Sequence, residues 1–324
     1  MKNWVISPAE AGTLSLKYVT RILPKAPMGL IRKSMRKKNI TLNGKKMEGR
    51  EKLSAGDRIE VWFSAETLAK FMEQERDEVK KKIPYFQSFI IYEDQDVLVL
   101  NKPAGLPSQG GSGVPSLNDG VLTYLNDKIT PVFHPSICNR LDRNTSGLVL
   151  AGKNMEALQR LNEMIRTRQV KKFYLALVWG KTEAEGIFKG YMIKDRNRNE
   201  VSCSDSPAPG AKPVETRYKK LGEGEWQGNY FSLVKVELIT GRSHQIRVHF
   251  AHAGHPLLGE RKYCTPESRH FSEKIHAERQ FLHAWEMVFP SLTGTLEGLS
   301  GRTLYAPVPE DMKKPCLGAG LVIE

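Results

Sequence analysis

Residues 138–150 read Cys138-Asn139-Arg140-Leu141-Asp142-Arg143-Asn144-Thr145-Ser146-Gly147-Leu148-Val149-Leu150. A polar, turn-forming run opens directly onto an apolar strand. One carboxylate, Asp142, lies between Arg140 and Arg143, and neighbouring cations favour its ionised form. A loop that leads into a buried strand can hold such a side chain rigidly at a cleft. A structural ion pair or a turn cap is the plainer reading of the same residues, and both readings stay open on this stretch alone.

Working outward, the chain on both sides is strand-rich. Phe89-Ile90-Ile91-Tyr92 and Val97-Leu98-Val99-Leu100 flank an acidic turn and predict a hairpin ending at Asn101-Lys102-Pro103-Ala104-Gly105. Downstream, Lys171-Lys172-Phe173-Tyr174-Leu175-Ala176-Leu177-Val178-Trp179-Gly180 predicts a strand. In it Tyr174 shares a face with Ala176 and Val178, which leaves room for a flat ring or simply makes it a core tyrosine. A second polar cluster runs from Thr240 to Pro256 and contains four histidines. Residues 243–250 alternate in polarity and read as a strand, with Gln245, Arg247 and His249 on one face and His244 on the other. That splits the histidines and sets Arg247 beside them, so no metal site is expected. The glycine cluster 110–113 lacks the spacing of a phosphate-binding loop.

A length of 324 residues suggests roughly two domains. Lys and Arg number 49 against 36 Asp and Glu, a net charge of +13, which points to an anionic partner such as nucleic acid. The excess is uneven. Residues 1–64 hold 14 Lys and Arg against 5 Asp and Glu, whereas residues 65–84 balance at 5 and 5. Leu30 to Lys38 predicts a short helix with Leu30, Ile31, Ser34 and Met35 on one face. Its other face carries Arg32, Lys33, Arg36 and Lys37, like-charge i,i+4 pairs that repel unless a polyanion lies over them. A solvated face is the alternative. Ile40 to Lys46, with Asn43-Gly44 at its turn, predicts a hairpin, and Arg58 to Phe63 another strand. Residues 65–84 read as a charged helical linker stopped by Pro84. The four cysteines are scattered and form no C-x-x-C pair. The sequence reads as having neither a secretory signal nor a run of about 18 apolar residues, so the expected location is the cytoplasm, with no membrane association.

Arg21-Ile22-Leu23-Pro24-Lys25-Ala26-Pro27, "RKKNITLNGKK" and "LSAGDRIEVW" resemble the S4 RNA-binding module over residues 12–64. "NRLDRNTSGLVL" resembles the signature motif of the RluA-type pseudouridine synthases. "IIYEDQDVLVLNKPAGLPSQ", "KKFYLALVWG", "TGRSHQIRVHFAHAGHPLLGERKY" and "RQFLHAWEMVF" follow that family's other motifs in order. The combination resembles the RluC/RluD-like branch, which acts on large-subunit (23S) ribosomal RNA. The resemblance implies an α+β chain: an S4-like domain (1–64), a linker (65–84), and a mixed, largely antiparallel-sheet catalytic domain (85–324). It implies that Asp142 is the essential aspartate and that Tyr174 lies against the target uracil. It further implies that Arg247 pairs with Asp142 and that Arg140 helps displace the nucleotide. Arg32, Lys33, Arg36 and Lys37 would face structured RNA. No cofactor or metal is implied, and a monomer is expected. Two residues depart from the family's pattern: Asn139 replaces its usual His, and Glu260 its usual Asp. The same chemistry on transfer RNA, a non-catalytic RNA-binding or ribosome-assembly factor, and a metal-dependent hydrolase using the histidines are the alternatives.

Overall fold

The computed structural model describes residues 1–72, 83–111, 113–130, 132–195 and 200–323. The first unit is a four-stranded sheet backed by helices. Its elements are β1 (Lys2–Val5), α1 (Ser15–Ile22), α2 (Met28–Arg36), β2 (Ile40–Leu42), β3 (Lys45–Lys46), β4 (Arg58–Val61) and α3 (Ala65–Met72). Strand order is β1-β4-β2-β3. The hairpin expected at Asn43-Gly44 forms, both residues taking positive φ. In α2 the apolar stripe Ile31, Ser34 and Met35 is buried, while Arg32, Lys33, Arg36 and Lys37 are exposed.

The segment 65–84 divides. Leu68 of α3 is buried in the first unit's core, and Phe71 and Met72 pack against it. That part of the expected linker is therefore docked on the first unit. The remainder of the expected linker helix, residues 73–82, lies outside the described residues. The body meets the first unit elsewhere too. Val132 enters the first unit's apolar cluster, and the Arg21 guanidinium donates to its carbonyl.

The body contains β5 (Ile90–Glu93), β6 (Val97–Lys102), α4 (Leu117–Tyr124), β7 (Ser136–Ile137), β8 (Ser146–Gly152), α5 (Met155–Arg166), β9 (Lys171–Trp179), β10 (Glu185–Asp195), β11 (Glu200–Ser204), β12 (Lys212–Trp226), β13 (Asn229–Leu238), α6 (Gln245–His252), α7 (Pro266–Lys274), β14 (Leu282–Val288), β15 (Thr303–Tyr305) and α8 (Glu310–Gly318). One 11-stranded sheet runs β11-β10-β12-β13-β9-β14-β8-β6-β5, with β15 on β14 and β7 on β8. Its described pairings are antiparallel except β14 with β8. The fold is thus α+β with a mixed, largely antiparallel sheet. No helix among the described residues is long and apolar enough to cross a membrane.

The expected hairpin is β5–β6, and its acidic turn is built by Asp94, whose carboxylate accepts from the Asp96 and Val97 amides at 2.8 and 2.7 Å. Strands β6 and β8 are apolar on both faces because both faces are covered. Leu98, Leu100, Val149 and Ala151 join Tyr174, Ala176 and Val178 of β9 in one core. Val97, Val99, Leu148 and Leu150 pack with Ala157, Leu161 and Met164 of α5 in the other. Each such side chain contributes roughly 1.5–3 kcal/mol by leaving water. Tyr174 lies on the first of these faces, as its strand pattern predicts, beneath Ile246 and Phe250 of α6.

At the seam between β14 and β8 the backbones approach very closely. Gly147 has φ +113°, and a Cβ there would come within 2.2 Å of the Ala284 carbonyl oxygen. The glycine that opens β8 is therefore required by its neighbour as well as by its own backbone.

Candidate active site

Asp142 occupies the loop between β7 and β8. Several anchors make that loop stiff. Asn139 donates its side-chain amide to the Leu148 carbonyl (3.2 Å) and accepts from the Leu150 amide (2.8 Å), so it staples the loop to β8. Buried Ser108 donates to the Leu141 carbonyl and accepts from the Leu141 amide. Lys102, fully buried, donates its three N–H bonds to the carbonyls of Pro103, Leu106 and Arg143 at 2.8–2.9 Å. Burial, reinforced by Arg279, pulls this ammonium down to about 7. The side chain of Asp142 itself stays 28% exposed, facing a cavity of about 830 Å3.

Arg247 reaches Asp142 from α6, its Nη1 donating to the carboxylate at 3.0 Å. The stretch 243–250, expected as a strand, is instead left-handed at His244 (φ 55°) and then helical over Gln245–His252. The reason the sequence misleads is burial. Gln245 to Phe250 are all buried, so no solvent face imposes a helical period. Most polar side-chain atoms inside this helix find internal partners, the His249 Nε2 being the buried exception. Gln245 bonds Thr240, Arg242, Glu215 and Thr216, and His249 bonds the Thr216 hydroxyl. His244 bonds the Tyr263 hydroxyl at 2.7 Å and stands 3.9 Å from Asp142. Burial lowers its pKa. His252 stands 3.8 Å from Asp205 and His255 bonds the Trp179 carbonyl, so the four histidines have separate partners, and no cluster of three or more metal-ligating side chains occurs among the described residues.

The other end of Arg247 explains Glu260. Its carboxylate, 2% exposed, accepts from Nε at 2.6 Å and Nη2 at 2.8 Å, a bidentate pair. Burial opposes the charge on both partners, but the mutual hydrogen bonds win: Glu260 is lowered and Arg247 raised from their usual ranges. Arg247 is thereby fixed on one side, and only one of its edges is offered to Asp142. The sequence marks Glu260 merely as a departure from a motif. Its role becomes visible only when α6 and the turn after Leu258 are brought together.

Tyr174 lines the same cavity, 6% exposed. Its hydroxyl makes no hydrogen bond with the described residues, and burial together with the Asp142 charge pushes its pKa up. Arg140 is exposed at the rim and reaches Gln109 at 3.4 Å. The structure therefore brings Asp142, Tyr174, Arg247 and Arg140 to one cavity. It does not bring Arg32, Lys33, Arg36 or Lys37 there. They form the exposed face of α2 in the first unit. Arg143, Lys172, Lys194, Arg242 and Lys262 add to the cavity's cations, and Asp142 is the one acid among its described lining residues. A carboxylate held by a guanidinium and facing a buried aromatic ring in a cationic cavity suits reaction on an anionic polymer whose bases must be swung out to be reached.

A family profile described as RNA pseudouridylate synthase matches residues 96–252. The ribosomal large subunit pseudouridine synthase C of Pasteurella multocida (strain Pm70) is 34% identical over 98% of this chain and 94% of the relative. That of Escherichia coli (strain K12) is 32% identical over 98% and 96%. Among solved structures, human RNA pseudouridylate synthase domain containing 4 superposes with a TM-score of 0.59 at 22% identity, covering 74% of this chain and 95% of that one. The fold agrees, and near-full-length identity above 30% places the sequence: the chain belongs to the RNA pseudouridylate synthase family.

Proposed function

We propose that this chain converts specific uridines of large-subunit ribosomal RNA to pseudouridine, with Asp142 as its catalytic residue. The observation that carries the reading is the lone carboxylate of a cation-lined cavity, fixed by Arg247 and facing Tyr174. The names of the full-length relatives support the ribosomal substrate.

The reaction is an isomerisation. The N1–C1′ bond of the nucleotide breaks, the uracil turns, and a C5–C1′ bond forms. C5 loses a proton and N1 gains one, so nothing is oxidised and no group is donated. Asp142 supplies negative charge where C1′ becomes electron-poor, as carboxylates do in glycosidic cleavage. Arg247 orients that carboxylate through Nη1, and Glu260 keeps Arg247 from swinging away. Tyr174 offers a ring face to the displaced uracil, and Arg140 fills the space the nucleotide leaves. The first unit is an S4-like RNA-binding domain that holds the polymer through Arg32, Lys33, Arg36 and Lys37. The protein works as a monomer in the cytoplasm.

The test is tritium release from unmodified ribosomal RNA carrying [5-3H]uridine, with pseudouridine mapping of the product. Asp142→Asn and Asp142→Ala should give no release while RNA binding survives. Release at the unaltered rate by either variant would overturn the reading. Product on transfer RNA alone would move the substrate.

A further inference from the structure

Lys172, the second residue of β9, lines the same cavity as Tyr174. It stands two positions before Tyr174 in β9, so both side chains rise from the same face of the sheet, about 7 Å apart along the strand. Tyr174 is buried in the cavity, and Lys172 is half-buried toward its rim. Across the opening, Gly241 places backbone so near that a Cβ there would sit 3.8 Å from the Lys172 ammonium.

Nothing in the described protein answers that charge. Lys172 makes no hydrogen bond or ion pair with the described residues. Other lysines withdrawn from solvent do find partners. Lys102 meets three carbonyls, Lys153 meets Glu93, and Lys235 meets Glu286. The neighbourhood of Lys172 is instead repulsive. Burial and the nearby Arg168 both lower its pKa. A half-buried cation with no acceptor is costly to keep unless an incoming anion completes it.

We propose that Lys172 binds a phosphodiester next to the target nucleotide and so holds the RNA strand at the cavity mouth while the base enters. This rests on the RNA reading above. Its position favours a phosphate over the uracil, because Tyr174 lies deeper and Lys172 nearer the rim. The bond lasts through the whole turnover, so it acts on binding of substrate and transition state alike.

The experiment compares Lys172→Met and Lys172→Arg in the full chain, using unmodified large-subunit ribosomal RNA transcript. Lys172→Met keeps the apolar stem and should raise KM about 10- to 100-fold, as loss of a charge-assisted bond does. The slope of log affinity against log salt should become shallower by about 0.7–0.9, one phosphate contact. Lys172→Arg should restore most of that slope. A short RNA carrying the mapped uridine then tests the contact directly. In the unaltered protein, an uncharged methylphosphonate at one flanking position should reproduce the loss. In Lys172→Met the same replacement should cost nothing more. A fall in kcat with unchanged KM, or full additivity at every methylphosphonate position, would overturn the proposal. So would an unchanged KM and salt slope. Failure of the RNA reading itself would look different, since the unaltered protein would then release no tritium.

Discussion

Replacing Glu260 by Gln tests how the site is held together. Glu260 is 2% exposed and accepts two hydrogen bonds from Arg247. Gln keeps the shape but loses the charge, and its amide N–H would face one of the guanidinium N–H bonds. Removing one partner of a buried ion pair costs about 3–5 kcal/mol. The isosteric replacement, which still accepts one bond, belongs at the lower end. At roughly 2–4 °C per kcal/mol for a chain somewhat smaller than this one, the thermal midpoint should drop by about 6–12 °C. The pH dependence carries the same signature. The folded-state pKa of Glu260 lies below its usual value. Its stabilisation is therefore complete above about 4.3 and disappears as pH falls through the depressed folded value. Glu260→Gln should lack this part of the acid limb. Glu260→Asp, which keeps the charge on a shorter arm, should lose less stability and retain more tritium release than Glu260→Gln. Thermal unfolding across acidic pH and single-turnover release measure all three quantities. If Glu260→Gln melted at the same temperature with the same acid limb, Arg247 would not depend on Glu260.

Fully buried His283 bonds Ser146 and Ala306, and burial lowers its pKa to about 4. The unfolded chain therefore takes up this proton first, and stability should fall by about 3 kcal/mol as pH drops from about 6.5 to 4. His283→Asn should flatten that window in urea titrations, and an unchanged slope would contradict it. Gly147→Ala should destabilise the body severely, because the added carbon meets the Ala284 carbonyl at 2.2 Å. Soluble protein with an unchanged melting point would contradict that close approach. Neutralising Arg32, Lys33, Arg36 and Lys37 together should make the salt dependence of RNA affinity shallower by up to about 3.6. Equal slopes in filter binding would remove α2 from the RNA interface.

Much of the body could be read from local pattern. The β5–β6 hairpin, the faces of β9 and the buried stripe of α2 each have a period that one covered face or two imposes. Asp142, Tyr174 and Arg247 were legible as candidates because each sits in a motif, and they meet at one cavity. What local pattern could not supply was the setting of Arg247. Its helix is buried all round, so alternating residues looked like a strand. Lys102, Glu260, Ser108 and His244 matter through contacts with segments far off in sequence. Only the Arg143 carbonyl, 41 residues from Lys102, or the far side of Arg247, gives those residues their meaning.

The seam at β14 has a consequence for how the enzyme comes into being. Asp142 sits in the loop that leads into β8 and Tyr174 sits on β9, yet these strands do not pair: β14, residues 282–288, lies between them. While the chain leaves the ribosome, the two halves of the site are synthesised early but have no common sheet. They acquire one only after nearly nine-tenths of the sequence has emerged and a late strand slots between them. Pairings so distant in sequence form slowly, because loop closure precedes any gain from contact. A nascent chain can thus carry its folded basic first unit well before Asp142 and Tyr174 share a sheet.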